Sequence, residues 1–193
     1  QVDPKMQVLL VGAPTSLIRR YQSILEMAGL SINIVETEVL SVVRSLSPVN
    51  RSEVFLIVSI GALSTSLAIL KNNILVFSYT IPLGGLAMDR SIASNFGFTP
   101  TQAEEYKKVY GIADQSLGGK ISQALEPILA SMATEVKKAI TYYTEKNKND
   151  NQISQIILTG GSSLLPGLDI FFVKTCGIET VIGNPWKNVP VLN

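Results

Sequence analysis

The sequence predicts an α/β fold, a mixed sheet with helices on its faces. Three observations point there. Residues 54–70 form an uncharged, largely aliphatic run broken by serine and glycine, as buried strands and their turns are. Residues 120–145 place apolar side chains at helical spacing over more than six turns. Further short apolar runs at 156–159 and 180–182 flank a second helical segment, so strand and helix alternate towards the end.

Taken in order, residues 6–11 read as a buried strand. Residues 15–28 read as a helix with Leu17, Ile18, Tyr21, Ile24, Leu25 and Ala28 on one face, and Gly29 as its stop. A short strand follows at 32–35. Val39, Leu40, Val42, Val43 and Leu46 mark a short helix ending before Pro48. The polar stretch 47–53 is the best boundary in the chain. Three strands succeed it at 54–58, 65–70 and 74–81, with Lys71-Asn72-Asn73 as a tight turn between the last two. Gly84-Gly85 leads into a helix over 86–95. Thr99, Pro100 and Gln102 spell a capping box at the start of another helix. The long helix 120–145 carries Ile121, Ala124, Leu125, Ile128, Leu129, Met132, Val136, Ile140 and Tyr143 as its core stripe, with Pro127 as an expected kink. Residues 146–152 form a polar loop. Strand 156–159, the turn Gly160-Gly161-Ser162-Ser163, a short helix and strand 180–182 complete the chain. Three consecutive strands followed by alternating helix and strand match one lobe of a ribonuclease-H-like fold.

Composition narrows the chemistry. Hydrophobic residues make up 46% and charged residues 16% of the 193, enough to bury a sizeable core. The 16 basic and 15 acidic residues are scattered, so no basic stripe points to nucleic acid. With no histidine, Ser-His-Asp and Cys-His catalysis and histidine metal sites are excluded within the chain. Cys176 is the one cysteine, so no disulfide forms within the chain, which fits a reducing compartment. The first residues lack a signal-peptide pattern and an initiator methionine, as expected of a piece of a longer protein. The uncharged run 54–70 is short for a membrane span and contains Ser59, Gly61, Ser64, Thr65 and Ser66, so it reads as paired strands.

Four motifs could carry chemistry. In Ser59-Ile60-Gly61-Ala62-Leu63-Ser64-Thr65, a glycine turn lets backbone N–H groups approach a phosphate, and the Ser64 and Thr65 hydroxyls can donate. The bland reading is a hairpin of small residues. Thr159-Gly160-Gly161-Ser162-Ser163 follows a strand and precedes a helix, so a flat base can lie against bare backbone beside free N–H groups. It is neither a GxGxxG nor a GxxxxGK loop; alone it could be a plain turn. Gly84-Gly85, ahead of a helix carrying Asp89 and Arg90, could form a phosphate nest or simply a turn. Glu104 and Lys107, three apart on a helix, face one side; the plain reading is a surface ion pair.

Together and in this order, these pieces resemble the actin, Hsp70 and sugar-kinase superfamily, and within it the PilM family of type IV pilus assembly proteins, with the cell-division protein FtsA more distant. The resemblance covers nearly the whole chain. It rests on Val11-Gly12-Ala13-Pro14, Arg20-Tyr21 and Glu26-Met27-Ala28-Gly29-Leu30 ahead of the second lobe, and on Val35-Glu36-Thr37-Glu38 where the lobes reconnect. It rests further on Ser59 to Thr65 at the second phosphate loop, usually Asp-x-Gly-x-x-x-Thr, and on Ile81-Pro82-Leu83-Gly84-Gly85 at the Pro-x-Gly-Gly turn. Glu104 and Lys107 fall at the positions that touch ribose and base, and Gly160, Gly161 and Ser162 in the adenosine loop.

The resemblance implies an actin-like ATPase lobe. Residues 1–50 would be a remnant of the N-terminal lobe and its inserted subdomain. Residues 51–193 would be the C-terminal nucleotide-binding lobe. It implies ATP as ligand, with or without Mg2+, at Gly61, Ser64, Thr65, Gly84, Gly85, Glu104, Lys107, Gly160, Gly161 and Ser162. It implies a cytoplasmic scaffold, tied to the inner membrane through partners, that hydrolyses ATP weakly or not at all. The partners would be the cytoplasmic N-terminal segment of the inner-membrane pilus protein PilN and other assembly proteins, with self-association through a lobe surface open. Ser59 stands where the family has the magnesium-placing aspartate, and it cannot supply that charge. The first phosphate loop and the closing helix of the family have no counterpart here, so the chain is expected to own one wall of the cleft. Two alternatives stand beside this reading: an FtsA-like filament protein, which would carry an amphipathic membrane helix, and a sugar or acid kinase, which Ser59 disfavours. A bulky residue at Gly160 or Gly161 is expected to abolish ATP binding and leave the fold intact, and Ser59→Asp to strengthen its magnesium dependence.

Overall fold

The computed structural model describes residues 8–46, 53–113, 118–148 and 151–188. The chain divides into two compact units, Gln1–Thr37 and Glu38–Asn193.

In the first unit, helix α1 spans Thr15–Met27. It ends in a doubly bonded turn, in which Leu30 N–H donates to Leu25 O and Gly29 N–H to Glu26 O, both at 2.9 Å. Its apolar stripe is present as read, yet none of its residues is buried. The strands expected at 6–11 and 32–35 are corrected here. Residues 8–14 and 30–37 are irregular, and residues 6 and 7 lie outside the described residues. A strand exists only when its backbone groups find a ladder, and every strand of the sheet comes from residue 54 onward. Leu10 is 91% exposed, so apolar character alone made the strand reading.

The second unit begins with α2 (Glu38–Leu46) and contains one five-stranded sheet of β1 (Val54–Ile60), β2 (Thr65–Lys71), β3 (Ile74–Ile81), β4 (Ile153–Thr159) and β5 (Glu179–Ile182). The order across the sheet is β3-β2-β1-β4-β5. The first three strands form an antiparallel meander, and β4 and β5 pair in parallel with β1 and with each other. Asn72 and Asn73, both at positive φ (54° and 61°), make the turn whose twist suits a hairpin.

Strand β1 is buried along its whole length because both faces are covered. Val54, Leu56, Val58 and Ile60 point into the larger core, which is roofed by α3 (Gly85–Phe96), α4 (Pro100–Tyr110), α5 (Lys120–Lys146) and α6 (Leu168–Cys176). Phe55 and Ile57 point the other way, onto Val43 and Leu46 of α2. Compactness therefore divides the chain after Thr37, ahead of the compositional break at 47–53, because α2 packs on the sheet. Residues 47–52 lie outside the described residues.

The capping box of α4 forms as spelled: Gln102 N–H donates to Thr99 Oγ1, and the Gln102 side chain accepts from Thr99 N–H at 2.9 Å. The long helix buries Ile121, Leu125, Leu129, Met132, Val136 and Tyr143 as expected. Among the described residues no helix is long and apolar enough to cross a membrane, and the uncharged run 54–70 is the β1–β2 hairpin.

Candidate functional site

Because β1 and β4 are parallel neighbours, the loops leaving their carboxyl ends emerge side by side. In open α/β sheets this is where ligands collect. A cleft of about 540 Å³ opens there, walled by the turn after β1 (Gly61, Ala62), the start of α3 (Gly85, Leu86, Asp89), one side of α4 (Glu104, Lys107, Lys108) and the turn after β4 (Gly161, Ser162, Leu164, Leu165).

Six of the residues singled out in the sequence line this cleft: Gly61, Gly85, Glu104, Lys107, Gly161 and Ser162. The other four do not, and each has a packing role or a backbone one. Thr65 is 1% exposed and its hydroxyl donates to Leu83 O at 2.8 Å, pinning the β3–α3 turn to β2. Ser64 accepts from Gly61 N–H through its backbone carbonyl at 2.9 Å. At Gly84 a Cβ would lie 2.5 Å from Gly61 O and 2.6 Å from Ala62 O. At Gly160, with φ +85°, it would lie 2.5 Å from Ile60 O.

The phosphate-nest reading of Gly84-Gly85 does not hold. Gly85 and Leu86 N–H groups donate to Gly61 and Ala62 carbonyls at 2.9 Å, so the first donors of α3 are spent on the neighbouring turn. The surface pairing of Glu104 with Lys107 is also corrected. Lys107 is 7% exposed and its Nζ sits 2.7 Å from Asp89 Oδ1, an ion contact rather than an aligned hydrogen bond, with a long 3.4 Å contact to Gly85 O. Glu104 pairs instead with Lys108 one turn on, at 2.7 Å. That hydrogen bond and the Lys108 charge hold the Glu104 carboxyl below its ordinary value, and the same bond and the Glu104 charge push Lys108 up.

Sequence reading passed over Asp89 and Lys108 as cleft residues. The signal available was spacing: Lys107 and Lys108 stand three and four residues after Glu104, so both compete for one acid and a second acid elsewhere could pair the other. The apolar wall of Leu86, Leu164 and Leu165 carried no sequence signal beyond hydrophobicity.

The cleft thus holds two acids and two lysines in balance, three leucines, and a glycine turn with open space where Gly161 would carry a Cβ. This suits a neutral, flat, hydrogen-bonding group. A directly ligated Mg2+ does not fit: each carboxylate already has a lysine partner, and Ser59 lies on the face of β1 shared with Phe55 and Ile57, off the cleft wall. Among the described residues no cluster of three or more potential metal ligands occurs.

Comparison with known proteins agrees with this architecture. The chain is 26% identical over 198 residues to the cell division protein FtsA of Streptococcus pneumoniae serotype 2, covering 94% of the chain and 43% of the relative. The solved PilM–PilN type IV pilus biogenesis complex is similar in fold, with a TM-score of 0.76 at 24% identity over 90% of this chain and 49% of that one. Spiroplasma citri MreB5, solved bound to AMPPNP, has a TM-score of 0.70 at 18% identity, over 89% of this chain and 61% of that one. The chain spans about half the length of these relatives. The family model for the type IV pilus assembly protein PilM matches residues 1–193. An actin-like lobe, a cleft at the carboxyl ends of β1 and β4, and a family match from first residue to last lead to one conclusion: this chain belongs to the PilM family of type IV pilus assembly proteins.

Proposed function

We propose that the chain is the nucleotide-binding lobe of a cytoplasmic scaffold that binds ATP with little or no hydrolysis. In this reading the scaffold docks the cytoplasmic N-terminal segment of an inner-membrane PilN-type protein and so holds the pilus assembly platform together. The observation that carries the nucleotide part is the cleft itself, where the 61–62 turn, the α4 lysine and the 161–162 turn converge around a leucine wall. Adenine would lie against Gly161 and the leucines. Ribose hydroxyls would meet Lys107 and Glu104, and phosphates would run towards Gly61. Residues 1–37 belong to the other lobe in this reading, which the unburied apolar stripe of α1 supports, whereas α2 packs on the sheet of the nucleotide-binding lobe.

Nucleotide acts here as a conformational ligand. Whatever binds the closed arrangement of two lobes stabilises it by RT ln(1 + [L]/Kd), with no bond broken. A cleft whose two carboxylates are each paired with a lysine suits retention of ATP better than its hydrolysis. The fold's likeness to a PilM solved in complex with PilN supports PilN as the partner class.

Calorimetric titration with ATP, with and without Mg2+, tests the reading. Saturable binding that survives chelation of magnesium is expected, with phosphate release at background. The absence of heat from this chain, and from the full-length protein when both are folded, overturns the nucleotide assignment. A PilN cytoplasmic peptide that fails to bind the full-length protein in either nucleotide state overturns the docking assignment.

A further inference from the structure

We infer that Asp89 is a positioning residue for the cleft: it holds the Lys107 ammonium at a set point on the wall and cancels its charge, so that the inner cleft receives the uncharged nucleoside end of its ligand. The inference rests on the nucleotide reading above.

Asp89 and Lys107 come from different helices, α3 and α4, and each is 7% exposed. A lysine buries its stem and keeps its charged tip towards open space, so what fixes that tip decides where it stands. This one lines the cleft, with Asp89 Oδ1 at 2.7 Å on one side and Gly85 O at 3.4 Å on another. An ammonium has three donors; Gly85 O takes one, and Asp89 holds the charge as an ion partner without an aligned hydrogen bond, which leaves N–H capacity for a ligand. A lysine side chain has four rotatable bonds and commands a set position only when something fixes its tip. Asp89 is that fixture. It is placed by the fifth residue of α3, a helix whose own first N–H groups are locked onto Gly61 and Ala62. The position of the ammonium is therefore tied through Asp89 to the same turn that starts the cleft wall.

An unpaired buried ammonium would draw the most negative group of any ligand to itself. With Asp89 beside it, Lys107 offers a hydrogen bond without a net field, and Lys108 is likewise matched by Glu104. The inner wall then discriminates by hydrogen-bond geometry, and phosphate groups gain nothing by entering it.

The test is a double-mutant cycle read by calorimetry with adenosine and with ATP, on the wild type, Asp89→Asn, Lys107→Met and the double variant, each checked by thermal melting. In the wild type, Asp89→Asn should weaken adenosine about tenfold, the scale of one charge-assisted hydrogen bond. Without its counter-charge Lys107 should also shift preference towards ATP over adenosine. In the Lys107→Met background, Asp89→Asn should change neither. A purely structural role would lower melting temperature without altering the ATP-to-adenosine ratio. If Asp89→Asn proves unfolded, Asp89→Glu keeps the charge but displaces it and should weaken adenosine while holding the ratio. Wild type that binds, with adenosine affinity unmoved by Asp89→Asn or Asp89→Glu or moved equally in both backgrounds, overturns this inference alone. Wild type that binds neither ligand overturns it together with the nucleotide reading.

Discussion

At the level of single residues, the two glycines of the 160–161 turn part company. Gly160 sits at φ +85°, and a Cβ there would meet Ile60 O at 2.5 Å, a backbone atom that cannot step aside. Gly161 has nothing within 4 Å of its Cβ position and lines the cleft. There is room for a larger side chain at Gly161 and none at Gly160, against the expectation that either could be enlarged alike. Gly161→Val should leave the melting curve near wild type and abolish nucleotide heat. Gly160→Val should cost about 1–3 kcal/mol in urea unfolding through backbone strain, with the clash adding to it. Equal melting of the two variants would show that the turn is not built as described.

At the level of elements, α4 serves both as a structural strut and as a wall of the cleft. Its start is held by the reciprocal Thr99–Gln102 bonds, and Thr99→Ala should cost about 1 kcal/mol of stability by denaturant titration. Its exposed flank carries the Glu104–Lys108 pair at 2.7 Å. The Glu104 carboxyl is held below its ordinary value in the folded chain, so any stability it lends is present above the ordinary carboxylate pKa and fades as pH falls through the lowered one. Lys108→Ala should move the Glu104 titration, followed by NMR, up towards the ordinary value. A Glu104 midpoint unmoved by Lys108→Ala would mean that the pair does not persist in solution.

For the whole molecule, the sheet is a sandwich filling with unequal covers. Four helices roof one face, while on the other, among the described residues, α2 brings Val43 and Leu46 to Phe55, Ile57, Ala68, Leu70 and Ile157. Removal of residues 1–37 should leave 38–193 folded with nearly unchanged melting, since α1 buries none of its residues. Removal of 1–52 strips α2 and should cost several kcal/mol or solubility, because the second core loses its lid; Leu46→Ala alone should cost about 2–5 kcal/mol. If both truncations melt alike, α2 does not belong to the sheet's compact unit.

Much of this was legible in the sequence because it is local. Asn72-Asn73 between two apolar runs, Thr99-Pro100-Gln102 ahead of a helix, and the stripe from Ile121 to Tyr143 each declare their structure through spacing and backbone chemistry. The glycine turns after β1 and β4 were equally plain, and with them six of the ten residues named for the cleft. What the sequence could not show was pairing across space. Residues 8–11 look like a strand, but among the described residues no ladder receives them, and whether an apolar segment pairs depends on neighbours distant in the chain. The partner of Lys107 lies eighteen residues back on another helix, and only the packing of α3 against α4 chose Asp89 over Glu104. Local rules wrote the elements and their turns; the meeting of β1 with β4, and of one helix with the next, decided which side chains became the wall of the cleft.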